Sequence, residues 1–348
     1  MNASTGQDMT TYFINLPANK IELWARIESD RLLHPVFRQF YTERDVILEE
    51  RRQRVEASPD GKLYEAFMER AYSTHPYGIP IVGLPKDLTF MSPAAIHAIH
   101  RKYLSPRRIV IAVVGDIDPS KTMELIRRYF GKIPDAGAPA ARIPAEPEQK
   151  AERKAQVWFD ASPSMIIGYH KPAPPAREDY VFDVLETILS KGRTSRLYDR
   201  LVISRQIAQS ISAANGVPAA RYPNLFTIFA RPRHPHTNEE LQTAILGEIE
   251  AIKTAPVTEE ELARAKNQLK MDFIKSLDPN SELASILSYT ELLLGDYRYF
   301  SDYLPQIQKV TAGDIQAAAI RYLTAENRTV AVLNRKTAPE EGGGAHEK

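Results

Sequence analysis

The chain has 348 residues, a formal net charge of +1, 43% hydrophobic and 26% charged residues, ordinary values for a globular protein of one or two domains. The near-neutral charge gives no bulk attraction to nucleic acid or acidic membranes. The absence of cysteine excludes disulfides, iron–sulfur clusters, thiol catalysis and cysteine-bound zinc, and no apolar run reaches the ~18–20 residues of a membrane span.

In chain order, "MNASTGQDMTTYFINLP" lacks the basic start and apolar run of a signal peptide. Residues 10–14 are good strand formers closed by Pro17. Residues 20–33 and 35–55 read as helices split at His34-Pro35, because proline lacks an amide donor. A third helix is expected at 62–72. The stretch 134–154 is rich in Pro and Ala, has no apolar period, and reads as an interdomain linker. Beyond it, 164–170 and 224–231 read as strands. Residues 178–192 read as a helix with Val181, Val184, Leu185, Ile188 and Leu189 on one face. The expected division is a first lobe at 1–135, a linker at 136–151, a second lobe at 152–338 and a flexible tail at 339–348. The alternation of helices with short strands predicts α+β lobes.

Two segments repeat. "SPAAIHAIHRKYLSPRRIVIAVV" (92–114) matches "TAGDIQAAAIRYLTAENRTVAVL" (311–333), with Ile96 over Ile315 and Tyr103 over Tyr322 at an offset of 219. Ser92 and Thr311 are helix N-cap candidates, and each helix leads into a β-branched segment expected to be a strand. "TERDVILEERRQ" and "TEEELARAKNQ" match at an offset of 216. Two collinear matches at nearly one offset indicate internal duplication. The helix at 178–192 then has no first-half counterpart, since its position falls roughly 30 residues before Met1. The first lobe is therefore expected to be truncated.

On the helix at 35–55, Glu43, Ile47, Glu50 and Arg54 share one face, while Glu49 lies about 100° round from Glu50. By itself such a face reads most simply as solvated and laced with i,i+4 ion pairs. The eight histidines include His97 and His100, three apart on one helix, which could share a metal or be surface and packing residues. No glutamate separates them, and the repeat aligns them with metal-free "IQAAAI". His75, in "HPYG", reads as part of a turn.

The Asn-Ala-x-Thr opening, "ESDR", "ERDVILEE", "HPYG", "VVGD" and "TSRLYDRL" occur in an order that resembles the pitrilysin/insulinase family of zinc metallopeptidases, related to the mitochondrial processing peptidases. The resemblance implies two homologous lobes, each an antiparallel sheet packed with helices. It also implies an inverted H-x-x-E-H motif supplying two ligands and a general base, which is absent from this chain and would lie upstream of Met1. In "ERDVILEE" it makes Glu50 the third zinc ligand and Glu43 a supporting carboxylate of the catalytic site. Asn2-Ala3-Ser4-Thr5 resembles the strand whose edge pairs with extended substrate, with Asn2 and Ala3 as substrate-binding residues; an ordinary edge strand is the alternative. Where the family's substrate clamp has Arg and Tyr, this chain has Val202 and Gln209. The implied activity is a zinc endopeptidase on peptides or unfolded segments, with Zn2+ in the full-length parent and none expected in this chain alone. A homologous partner chain would supply the Arg and Tyr. A non-catalytic structural or peptide-binding subunit is the alternative. The compartment is open, and an upstream export signal would place the protein in the periplasm.

Overall fold

A computed structural model describes residues 1–135, 137 and 142–336; part of the expected linker and all of the expected tail lie outside the described residues. β1 (Asn2–Thr5) and β2 (Thr10–Phe13) form an antiparallel hairpin, Asn2 opposite Phe13. α1 (Ile21–Leu33) ends at His34, before Pro35. α2 (Phe40–Arg51) starts five residues later than the sequence pattern suggests. Gln39, with φ of 56°, is left-handed and cannot lie inside a right-handed helix. α2 runs on as a π-helical turn through Glu56, and α3 (Pro59–Ala71) follows at once, capped by Ser58. The two approach so closely that a Cβ on Gly61 would lie 1.9 Å from the Arg54 carbonyl oxygen. Only glycine fits there.

α4 (Pro85–Phe90), α5 (Pro93–Tyr103) and α6 (Pro119–Phe130) complete the first half. Ser92 caps α5 as expected, its hydroxyl accepting from the Ala95 amide. α6 lies on α1, where Trp24 meets Phe130 with ring centroids 5.6 Å apart. Neither α5 nor α6 has a buried residue. The strand expected at 109–114 does not form: those residues belong to no ladder. A strand exists only beside a neighbour that takes its amides and carbonyls. Among the described residues the first half has the β1–β2 hairpin and no larger antiparallel sheet.

The second half supplies β3 (Arg153–Phe159), β4 (Ser164–Lys171), α7 (Arg177–Ser190), β5 (Ala208–Val217), β6 (Asn224–Pro232), α8 (Asn238–Thr254), α9 (Glu259–Ser276), α10 (Asn280–Leu294), α11 (Tyr299–Lys309), α12 (Ala312–Tyr322) and β7 (Arg328–Arg335). The sheet order is β3-β7-β4-β6-β5. It is mixed rather than purely antiparallel, because β7 inserts between β3 and β4. Those two strands run in opposite directions, so β7, antiparallel to β4, must be parallel to β3.

One sheet face carries α7, α8 and α12, with Phe182, Leu185, Leu241, Ile245 and Ile315 in its core. The other face is covered by α3 from the first half: Leu63, Phe67, Met68 and Ala71 pack with Leu225, Ala331 and Leu333. Phe67 lies directly over Gly168, where a Cβ would come within 2.5 Å of its ring. Coverage on both faces accounts for the almost unbroken burial along β4.

Candidate functional site

The α2 carboxylates differ in how they are used. Glu49 accepts from the Arg52 guanidinium at 2.7 and 2.8 Å and from Gln53 Nε2 at 2.7 Å. The Arg52 hydrogen bonds, helped by Gln53, hold its pKa at about 2. Glu50 is half-buried and meets Arg54 at 3.1 Å, an exposed i,i+4 pair. Glu43 is exposed on the same face. The end of α2 is held firmly. Buried Arg51 donates to the Gly83 carbonyl oxygen at 2.9 Å and to Glu65 at 2.5 Å.

Glu43 and Glu50 stand roughly 10 Å apart along the helix at 1.5 Å per residue. Zinc takes three or four protein ligands. Among the described residues, no group of three His, Cys, Asp or Glu could hold a metal ion. The residues present therefore do not fit a complete zinc site; they offer one candidate ligand. His97 and His100 set their rings edge-on to Phe37, at 4.6 and 6.1 Å between centroids, a packing role.

Asn2 and Ala3 are exposed on β1. The Ala3 amide is taken by Asn2 Oδ1 at 2.8 Å, so a peptide joining this edge would displace that side chain. No hydrogen bond or ion pair joins Asn2 or Ala3 to Glu43 or Glu50 among the described residues.

A chain of polar contacts leads from the expected linker to the hairpin. Glu146 accepts from the amides of Ser73, Thr74 and His75 at 2.8 to 3.0 Å and from the Ser73 hydroxyl. Burial works against its charge, but these donors outweigh it and hold the pKa at about 2. His75 caps the next turn, its Nδ1 accepting the Tyr77 amide at 3.1 Å, as "HPYG" suggests. Burial lowers the His75 pKa. The Tyr77 hydroxyl donates to Asp8 at 2.6 Å, and burial with that hydrogen bond raises its pKa. Asp8 was not singled out by its sequence; the one signal was a carboxylate in a strand–turn–strand context.

In the second half, Val202 lies in a π-helical turn (Tyr198–Ser204) and packs against the core. Gln209 is exposed at a bulge in β5, between the Ala208–Pro232 and Ser210–Arg231 pairs. α7 carries its own carboxylate row, turned inward. Asp179 meets the buried Lys171 ammonium at 2.5 Å. Asp183 accepts from Asn215 and from the Tyr303 hydroxyl, both at 2.9 Å. Glu186 accepts the Asn215 amide at 2.9 Å. Burial, then the neighbouring Asp179 charge, push the Asp183 pKa up to about 7.

A family model described as the peptidase M16 inactive domain matches residues 91–269. The zinc protease PqqE of Helicobacter pylori is 30% identical over 340 residues, 95% of this chain and 76% of the relative. The crystal structure of a protease from Helicobacter pylori superposes with a TM-score of 0.88 at 28% identity, covering 96% of this chain and 81% of that one. The peptidase M16 inactive domain from Pseudomonas fluorescens gives 0.81 at 19% identity, covering 93% and 77%. That second likeness shows the fold alone. No helix among the described residues is long and apolar enough to cross a membrane.

Proposed function

The chain belongs to the M16 peptidase family, and from that premise we propose that it is the zinc-side half of an endopeptidase acting on peptides or unfolded segments. In this proposal the first lobe spans 1–135 and the second 152–338, joined by the linker at 136–151. Glu50 provides one metal ligand, Glu43 steadies it, and β1, through Asn2 and Ala3, takes the substrate backbone by strand addition. The two histidines and the general base come from an H-x-x-E-H segment outside these 348 residues. The clamp that Val202 and Gln209 do not reproduce comes from a homologous partner chain. With one ligand in hand, this chain alone is assigned no hydrolytic step.

The supporting observation is the contrast between adjacent carboxylates. Glu49 is held by Arg52 and Gln53, whereas Glu50 has one solvent-exposed partner, Arg54, on the Glu43 face. The test joins an H-x-x-E-H helix segment to the N-terminus and measures zinc by elemental analysis. Glu50→Gln should lose the metal and Glu49→Gln should keep it; the reverse result sinks the assignment. The chain without that segment should purify without stoichiometric zinc. A second reading, a peptide-binding subunit without catalysis, draws on Val202 and Gln209 at the clamp positions. Tight zinc binding without peptide cleavage, even with a partner present, would favour it.

A further inference from the structure

The hairpin that carries the candidate substrate edge has no buried residue, and a two-stranded hairpin is marginal by itself in water. Beside the Arg31 guanidinium, which lies over the Tyr12 ring of β2 at 3.8 Å, the turn ties it to the rest of the fold. Asp8 Oδ2 accepts the amides of Ala220 at 3.0 Å and Arg221 at 2.8 Å, while Oδ1 accepts the Tyr77 hydroxyl at 2.6 Å. The Tyr77 oxygen in turn accepts the Tyr222 amide at 3.3 Å. Three consecutive amides of the loop between β5 and β6 thus end on one Asp–Tyr pair from the first half. Gln7 adds a bond from its Nε2 to the Ile79 carbonyl oxygen at 2.9 Å. Tyr77 is buried and boxed by the rings of Tyr72, His75 and Tyr222, so the pair sits on a rigid base.

We propose that Asp8 is a positioning residue: through Tyr77 and the backbone of residues 220–222 it fixes the free edge of β1 to the second half, so that an extended peptide added to β1 lies in one register against both halves. This rests on the peptide-binding role given to β1 above and adds the device that orders it. Peptide recognition by strand addition draws its affinity from main-chain bonds. An edge already held in place spares the ordering cost that a loose hairpin would meet on binding.

The test uses the 348-residue chain. Amide hydrogen exchange is followed for wild type, Asp8→Ala, Asp8→Asn and Tyr77→Phe, with fluorescein-labelled β-casein as the peptide probe read by anisotropy. Loss of a charge-assisted acceptor should speed exchange of residues 2–13 and 218–222 together by about tenfold in Asp8→Ala. Exchange in α7 should stay unchanged, which shows that the variant is folded. Casein affinity should fall about three- to tenfold at the same time. Asp8→Asn, which keeps an oxygen for the two amides, should recover part of both effects, a rescue that general destabilisation would not give. Faster exchange in one segment without the other, or coupled exchange with wild-type casein affinity, overturns the proposal. Absence of casein binding by the wild-type chain would instead overturn the peptide role of β1, and it is seen before any substitution is made.

Discussion

Residues 92–114 and 311–333 carry the same pattern and meet opposite fates. Both begin with a hydroxyl cap, Ser92 to the Ala95 amide at 3.3 Å and Thr311 to the Asp314 amide at 3.1 Å, and both form an eleven-residue helix. In the second copy, Ile315, Ala318 and Ala319 are buried against the sheet, and the following β7 is a central strand. In the first, no residue of α5 is buried, Ile99 is 48% exposed, and 109–114 pairs with nothing among the described residues. Local signals of capping and periodicity make the helix in both places. The strand and the burial come from neighbours.

The largest test of that difference compares Ile315 with its repeat partner Ile96. Ile315→Ala empties a fully buried site and should cost about 2–5 kcal/mol, while Ile96→Ala at a half-exposed site should cost less than about 1 kcal/mol. Urea unfolding of the two variants decides it. Equal losses would mean that the first copy is packed as tightly as the second.

The same division marks what could be read from sequence. The helices expected at 20–33, 62–72 and 178–192 formed at 21–33, 59–71 and 177–190, and the strands expected at 164–170 and 224–231 formed at 164–171 and 224–232; with both repeat caps, they followed from periodicity and capping chemistry. The late start of α2 did not, because nothing in "PVFRQ" announces the left-handed Gln39. The parallel pairing of β3 with β7 joins segments more than 170 residues apart, a distance no local pattern spans. Nor does local pattern show that α3 would cover the second half's sheet. Of the candidate site, Glu43 and Glu50 were legible as one helix face. Asp8 and Glu146 were not, since each works by gathering backbone amides from elsewhere in the fold.

Glu146 gives the next test, because it makes a nominal linker structural. Glu146→Gln replaces a charged acceptor of five donors, the Arg153 guanidinium at 3.3 Å among them, and should cost about 1–3 kcal/mol at pH 7. Its folded pKa of about 2 lies below the ordinary 4.5. The stabilisation is therefore present above pH 4.5 and fades as pH falls toward 2. Unfolding curves of wild type and variant should converge in acid; a gap that stays constant from pH 7 to 2.5 would remove the charge from the explanation.

Asp183 should behave with the opposite sign. Its pKa is raised in the fold from 3.8 to about 7. Its protonated form favours the native state, and that contribution is complete below pH 3.8 and lost as pH rises through 7. Asp183→Asn can still meet Asn215 and Tyr303 but does not ionise. Relative to wild type, the variant should gain stability between pH 5 and pH 8. A wild-type-minus-variant difference that is flat over that range would show that Asp183 ionises as freely in the fold as in the open chain.

The smallest expected change in stability falls where the proposal places the largest functional one. α2 and α7 both carry carboxylates at i and i+7, Glu43 with Glu50 and Asp179 with Glu186. On α7 these are inward and tied to Lys171 and Asn215. On α2 they face outward, and among the described residues Glu50 has only its i,i+4 contact with an exposed arginine, a type of pair that contributes little to folding. Glu50→Gln should therefore leave the urea midpoint of this chain unchanged, with the conservative Glu43→Gln beside it as a control on the same face. A residue that the fold does not use, on a helix locked at its end by buried Arg51, is free to be placed for a ligand. If Glu50→Gln instead lowers the midpoint as much as Glu146→Gln does, Glu50 is a structural carboxylate, and the metal-ligand assignment fails before any zinc is added.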